Sequence, residues 1–148
     1  MRWGRYLIGL AGCLLVVWRR YFAVVSVRGN SMSPTLTDGQ RLIMLKGRCA
    51  NAGDIVVFLP PKEFIGYDID VLIKRVIAVG GQSRPRELQH AGLADMVPPW
   101  HVAVMGDAPR SQGSGQFGYL PIQAIRGRIV RLPLRSPEQC DGDGDNGE

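Results

Sequence analysis

Histidine, cysteine and long uncharged runs are scarce in this chain, and each scarcity narrows what the protein can be. The only histidines, His90 and His101, lie outside any block with catalytic character, so a Ser-His-Asp triad is hard to assemble. Three cysteines are too few for a disulfide framework, and no Cys-x-x-Cys pair is present to hold a metal. The sequence therefore calls for no metal and no organic cofactor.

The N-terminal apolar run, from Tyr6 to Trp18, has 13 uncharged residues, whereas a spanning helix needs about 20. A secretory signal peptide is disfavoured because no small-x-small cleavage site precedes Arg19. An amphipathic core helix is disfavoured because the run is apolar all round. We therefore predict that residues 1–21 are a membrane anchor, either spanning a locally thinned bilayer or lying in its interface.

Charge is unevenly distributed along the chain. Residues 136–148 hold five acidic residues and no lysine or arginine, so the basic excess lies in residues 1–135. The arginines are dispersed without interleaved aromatic residues, which disfavours nucleic acid as a partner. Contact with anionic lipid headgroups and a simple gain in solubility are the remaining interpretations. The acidic, glycine-rich residues 136–148 are predicted to be a disordered tail.

From residue 22 onward, short stretches rich in Val, Ile and Leu alternate with Gly, Pro and Asp. This pattern predicts a mostly β domain of curved, antiparallel sheets. The candidate strands are 22–28, 41–46, 54–59, 70–79, 101–105 and 126–132. Residues 82–100 are polar, contain three prolines and are predicted to be a loop or lid.

Ser31 lies in a turn after an apolar stretch, where a strand can present a hydroxyl as a nucleophile. A plain strand-to-turn junction gives the same pattern. Lys74 offers the base that such a serine needs, because its apolar neighbours would penalise the ammonium form. Neighbouring strand residues face opposite ways, so either Lys74 or Arg75 points inward, and the pattern does not say which.

Four blocks occur in a fixed order: Gly29–Leu36 with Asp38-Gly39 after it, Gly53–Phe58, Ile73–Gly81, and Val104–Asp107 through to Gly118. In this order they resemble the bacterial type I signal peptidase family, membrane-bound serine proteases with a Ser-Lys dyad. The resemblance spans about residues 24 to 132. It implies the curved β fold of the signal-peptidase catalytic core, preceded by one N-terminal membrane-anchor helix.

The resemblance also implies roles for individual residues. Ser31 is expected to attack the scissile carbonyl while neutral Lys74 accepts its proton. Ser111 matches the serine that orients the lysine, and Asp107 matches the aspartate of a supporting Gly-Asp pair. Many relatives carry a serine two positions before the nucleophile as an oxyanion donor, but this chain has Gly29, which offers only its backbone.

Several supporting positions depart from the family pattern. Gly113 and Gly115 replace the aspartate and arginine of an ion pair, and Ala108 replaces an asparagine. Gln40 and Gln82 replace aspartates that follow glycine. Because two glycines add backbone freedom, we expect a looser support around the site.

The resemblance makes the substrate an extended peptide that pairs with strand edges beside the site. Backbone groups near Val27 and near Leu72 and Ile73 are expected to hold it. Met32 and Leu36 are expected to line a shallow pocket for small side chains, with core packing as their alternative role.

The predicted protein is a membrane-bound serine endopeptidase that removes signal or leader peptides from precursor proteins. Its domains are a single-pass anchor at residues 1–21, a catalytic domain at 22–135, expected on the extracytoplasmic side of the cell membrane, and the tail at 136–148. A maturation protease for one precursor and a weakened, peptide-binding homologue are alternatives. A self-cleaving repressor-type regulator is disfavoured, because about 20 mostly apolar residues before the core leave no room for a helix-turn-helix.

Overall fold

The chain folds around one antiparallel β-sheet, seen in a computed structural model that describes residues 3–60, 71–109 and 111–130. Its strands are β1 (Phe22–Ser26), β2 (Arg41–Lys46), β3 (Ile55–Phe58), β4 (Leu72–Val79), β5 (His101–Met105), β6 (Leu120–Pro121) and β7 (Ile125–Val130). They are hydrogen-bonded in the order β1-β2-β7-β3-β4-β5-β6. The prediction of a mostly β, antiparallel fold is thus confirmed. The two-residue strand β6 was not predicted, since it is too short to show a pattern.

The strand pairing of the sheet is irregular at two places. The register shifts between Val57 and Phe58 where β3 meets β7, and between Val76 and Ala78 where β4 meets β5. Such irregularities bend a strand and increase its twist. All four residues of β3 are buried, because an apolar cluster packs against each face of this strand. One apolar cluster contains Val57 and the other contains Phe58.

Residues 82–100 were predicted to be a loop or lid, but they carry a small core of their own. A 3₁₀ turn at Arg86–Leu88 buries Leu88 against Ala78, Val97 and Ala103. An ion pair between Arg84 and Asp95, with N–O at 2.8 Å, joins the two sides of the segment. The polar, proline-rich composition concealed this cluster, because its apolar residues are too widely spaced to form a periodic pattern.

Two α-helices accompany the sheet, α1 (Trp3–Tyr21) and the single turn α2 (Ser114–Phe117). α1 occupies the predicted anchor segment. Its described side chains between Ala11 and Tyr21 are all exposed. No helix within residues 3–60, 71–109 and 111–130 is long and apolar enough to cross a membrane. The predicted acidic tail, 136–148, lies outside the described residues, and the domain boundaries stay predictions.

Candidate active site

The turn that carries Ser31 is held by backbone bonds to the start of β2. Val27 N–H donates to the carbonyl of Gln40 at 2.9 Å, and Gly39 N–H donates to the carbonyl of Val27 at 2.9 Å. Gly29 adopts the left-handed conformation (φ +81°), which glycine reaches without steric cost. The sequence can therefore reverse direction here and present Ser31 beyond the end of β1.

The donors around Ser31 differ in their availability. Gly29 N–H is committed to Asp38 Oδ1 at 2.6 Å, so it is not free to bind an oxyanion. Ser31 N–H makes no hydrogen bond to another described residue. The backbone N–H of Ser31 is therefore among the donors that this turn leaves available to an incoming carbonyl oxygen.

The packing of β4 in the sheet decides which of its two neighbouring cations, Lys74 or Arg75, points inward. Lys74 is 4% exposed, whereas the side chain of Arg75 is 27% exposed and faces the other way. No carboxylate of a described residue pairs with Lys74. Burial alone therefore lowers the pKa of the Lys74 amine below its ordinary value of 10.5. A lowered pKa is the property that a lysine base needs at neutral pH.

One pocket of about 750 Å³ brings Ser31, Lys74 and Ser111 together. The same pocket is lined by Asn30, Leu72, Ala108, Pro109 and Gln112. The three side chains come from three separate parts of the chain: the turn after β1, the strand β4, and the segment between β5 and α2. Their meeting in one pocket is a property of the fold and not of any single motif.

Ser111 contributes a buried hydroxyl that has no hydrogen-bond partner among the described residues. Such a group is costly to bury, by about 1–3 kcal/mol, and is found where function retains it. Ala108 N–H donates to the carbonyl of Ser31 at 3.1 Å and so ties the Ser111 segment to the nucleophile turn. A Cβ on Gly106 would lie 2.1 Å from Ser111 Oγ and 2.4 Å from Ser31 O, so only glycine fits there.

Asp107 is anchored from the opposite face of β4. Arg75 donates to it through Nε at 2.8 Å and through Nη2 at 2.6 Å, a bidentate ion pair. Hydrogen bonding to Asp107, followed by its negative charge, raises the pKa of Arg75 despite partial burial. The strand that holds Lys74 inward therefore also fixes the segment that leads to Ser111.

The two glycines expected to loosen the site differ in their surroundings: Gly115 is exposed, whereas Gly113 is closely packed. Gly113 is buried in extended backbone, and a Cβ there would lie 2.6 Å from the carbonyl oxygen of Val104. Ser114 Oγ, fully buried, accepts a hydrogen bond from Val104 N–H at 2.9 Å. At Gly113, close backbone packing against β5 takes the place of the loose support that we expected.

The two glutamines that replace aspartates also have structural partners. Gln40 Oε1 accepts a hydrogen bond from Thr37 N–H at 3.2 Å, and Gln82 Oε1 accepts one from Val79 N–H at 2.9 Å. Each side chain thus closes a turn on the backbone three residues before it.

A second depression of about 580 Å³ opens beside the nucleophile, between β1 and the start of β4. It is lined by Val24 to Gly29, Ser31, Met32 and Val71 to Ile73. Of the residues predicted to bind substrate, Val27, Met32, Leu72 and Ile73 line this groove. Leu36 lines neither pocket and is 4% exposed within a core cluster. Met32 belongs to the same cluster and is 1% exposed, so very little of its side chain is accessible from the groove.

The groove runs between two unsatisfied strand edges. β1 lies at one end of the sheet order. On the β5 side of β4, pairing begins only at Arg75, so Leu72 and Ile73 have no β5 partner. Within the described residues, both walls therefore offer backbone donors and acceptors to an extended chain.

Sequence reasoning missed how Arg75, Gly106 and Ser114 shape the site. The Arg75–Asp107 pair was concealed because strand alternation left the direction of Arg75 open. Gly106 and Ser114 depend on contacts between segments that lie next to each other only in the fold. Among the described residues, no group of three His, Cys, Asp or Glu side chains could hold a metal ion.

Comparison with known proteins gives two kinds of match. Residues 1–84, which include Ser31 and Lys74, match the family model described as "Signal peptidase, peptidase S26". The chain is also 28% identical over 160 residues to "Inactive signal peptidase IA" of Staphylococcus aureus strains Mu50, N315 and MW2. Each of these alignments covers 84% of this chain and 88% of the relative.

Proposed function

The chain belongs to the signal peptidase family, peptidase S26, and on that premise we propose that it is an active serine endopeptidase. Its substrates are extended segments at the N-termini of precursor proteins, and it removes signal or leader peptides from them. The observation that carries the proposal is the shared pocket of Ser31 and buried Lys74.

The reaction is an acyl transfer in two halves. Ser31 Oγ attacks the scissile carbonyl carbon as Lys74 Nζ takes its proton, and Ser31 N–H stabilises the oxyanion. The protonated Lys74 then gives its proton to the leaving amine as the C–N bond breaks. A water molecule, deprotonated by Lys74, attacks the acyl-serine ester, and Lys74 returns the proton to Ser31 Oγ as the C–O bond breaks, which releases the second product and free Ser31.

Substrate recognition uses the groove between β1 and the start of β4. A precursor segment lies there as an added strand, bonded to backbone groups near Val27 on one side and near Ile73 on the other, since the N–H of Val27 itself is bonded to Gln40. The narrow apolar wall, where little of Met32 is accessible, suits small side chains. α1 holds the enzyme at the membrane from which precursors emerge, with the catalytic domain on the extracytoplasmic side.

A second candidate is a peptide-binding homologue without activity. It is favoured by the printed name of the Staphylococcus aureus relatives, "Inactive signal peptidase IA". The presence of Ser31 and a desolvated Lys74 in one pocket supports the active alternative for this chain.

The test is cleavage by the detergent-solubilised full-length chain of precursor peptides that carry small-x-small sites. New N-termini are mapped by mass spectrometry for the parent, Ser31→Ala and Lys74→Ala, with Arg86→Ala as an exposed control. We expect losses of at least about 1,000-fold for the first two variants and no change for the control. Equal cleavage by all four proteins would reject the mechanism. Peptide binding without cleavage by the parent would establish the second candidate.

A further inference from the structure

Five cations meet where α1 joins the sheet. β1 and β2 pair with Phe22 opposite Leu45, so the residues before β1 lie beside those after β2. Gly47 N–H donates to the carbonyl of Arg126 at 3.1 Å, which brings the start of β7 to the same edge. We name the resulting set the basic collar. Its members are Arg19, Arg20, Lys46, Arg48 and Arg126.

The collar is fixed to the helix by a direct contact. Lys46 Nζ donates to the carbonyl oxygen of Arg19 at 2.7 Å and so satisfies an acceptor in the last turn of α1. Trp18 stacks on Phe22 with ring centroids 4.4 Å apart, across the junction of α1 and β1. The position of the charges relative to the apolar helix is therefore set by the fold.

The collar cations, like exposed Arg28, Arg41 and Arg86, have no acidic partner among the described residues. Arg75, Arg84 and Arg128 each pair with a carboxylate. None of the five collar residues pairs with a carboxylate of a described residue, and all five are exposed. Clustered, solvated like charges repel one another unless an anion is bound between them.

Immediately next to the collar, α1 presents apolar side chains on all sides. Leu14, Val16 and Trp18 are 62%, 68% and 46% exposed, and Tyr21 is 55% exposed. Membrane proteins place apolar residues among the acyl chains of a bilayer, aromatic residues at the interface and basic residues at the headgroups. The end of α1 and the collar follow the same order. This order favours a lipid surface over nucleic acid or an acidic protein, because neither of those partners would bury the exposed apolar side chains of α1.

We propose that the basic collar is a binding site for the headgroups of anionic phospholipids. It fixes the depth at which α1 enters the bilayer and keeps the sheet against the membrane surface. This inference goes beyond the proposed peptidase activity and holds for a catalytically dead protein. Ser31→Ala protein is therefore used throughout the test, so that its outcome is independent of cleavage.

The test is sedimentation of the full chain with two kinds of vesicle, one of phosphatidylcholine alone and one of phosphatidylcholine mixed equally with phosphatidylglycerol. The collar variant is Arg48→Gln/Arg126→Gln. The control variant, Arg41→Gln/Arg86→Gln, removes the same charge from exposed positions away from the collar. A Lys-for-Arg collar variant, Arg48→Lys/Arg126→Lys, keeps the charge and reports whether the substitutions themselves disturb the fold.

We expect the collar variant to bind the mixed vesicles roughly 30-fold more weakly than the parent, since each basic residue near an anionic surface contributes a factor of about five. Binding to phosphatidylcholine alone should be unchanged, and the lysine variant should match the parent. Concentrated salt should abolish the difference.

Three results would overturn the inference. They are equal binding of the parent to both kinds of vesicle, an equal loss in the control variant, and tighter binding to duplex DNA than to the mixed vesicles. The last would identify the collar as a nucleic-acid surface.

Discussion

Ala108 N–H donates to the carbonyl oxygen of Ser31 at 3.1 Å, and this bond joins two segments that are about 75 residues apart in sequence. It brings the segment that carries Ser111 against the turn that carries the nucleophile. Gly106 lies at the same junction, too close to both serines for any side chain. The pocket of Ser31, Lys74 and Ser111 is thus closed by backbone contacts as much as by side chains.

The first prediction concerns the pH dependence of cleavage. Because burial lowers the pKa of Lys74, kcat/KM should rise with pH through that lowered pKa and level off below 10.5. Initial rates measured on a fixed precursor peptide across the pH range give the profile. Lys74→Arg, which stays protonated, should be inactive at every pH, and a rising limb only near the ordinary lysine pKa would contradict the role of burial.

The same group makes stability depend on pH. Between the lowered pKa of folded Lys74 and 10.5, the unfolded chain binds more protons than the folded one, so this contribution to the free energy of unfolding rises with pH. Lys74→Met should remove that rise and stabilise the fold at neutral pH by about 0.5–2 kcal/mol while ending cleavage. Urea titrations at neutral and at alkaline pH measure both effects, and a destabilised Lys74→Met protein at neutral pH would refute the argument.

The second prediction separates function from packing at Ser111. Its hydroxyl is buried without a partner, so Ser111→Ala should leave the free energy of unfolding unchanged or raise it by about 1 kcal/mol. Cleavage should nevertheless fall by roughly 10- to 100-fold, because an oriented lysine is worth about that much. The free energy of unfolding and the cleavage rate are measured on the same Ser111→Ala protein, by denaturant titration and by initial rates. If activity and stability fell together, Ser111 would be a structural residue.

The third prediction uses two glycines as a matched pair. Gly106→Ala places a methyl group within 2.4 Å of the Ser31 carbonyl oxygen and should lower kcat by about 100-fold or more. Gly115→Ala is the control, because its Cβ meets nothing closer than Leu88 Cδ2 at 3.6 Å. The control should keep full activity and, being in α2, gain a few tenths of a kcal/mol. Equal activity of the two variants would show that the pocket is not closed at Gly106.

The fourth prediction is that the family's missing aspartate cannot be restored here. Gly113→Asp would drive a Cβ to 2.6 Å from the Val104 carbonyl oxygen and should destabilise the fold by about 2 kcal/mol or more. Ser114→Ala should cost about 1–3 kcal/mol, because Val104 N–H would lose its buried acceptor. Thermal unfolding of both variants measures these losses. A Gly113→Asp protein with parental stability would contradict the packing argument.

Much of the sheet was predictable because local pattern and tertiary environment agree there. β3 is a short apolar run bounded by turn residues, and it is buried on both faces. Ser31 and Lys74 could be singled out because each lies in a recognisable block, and the structure places both at one pocket. The direction of Lys74 was not predictable, since strand alternation allows two solutions and only the packed sheet selects one.

The structured segment 82–100 and the Gly113 contact escaped prediction for a different reason. Leu88 packs in one cluster with Ala78 and Ala103, residues that come together only when β4 and β5 pair. We expected Gly113 to add backbone conformational freedom, because the sequence shows which conformations a glycine can adopt but not which contacts surround it. Close packing against Val104 restricts the backbone at this position.

The open edge of β1 faces the bare start of β4, and this has a consequence for ligands. The groove between these two unpaired edges has room for one more strand, and a bound peptide would supply it. Peptide mimics that fill the gap should therefore raise the melting temperature of the catalytic body even when their scissile bond has been replaced. Thermal-shift screening could then discover inhibitors before any natural precursor is known.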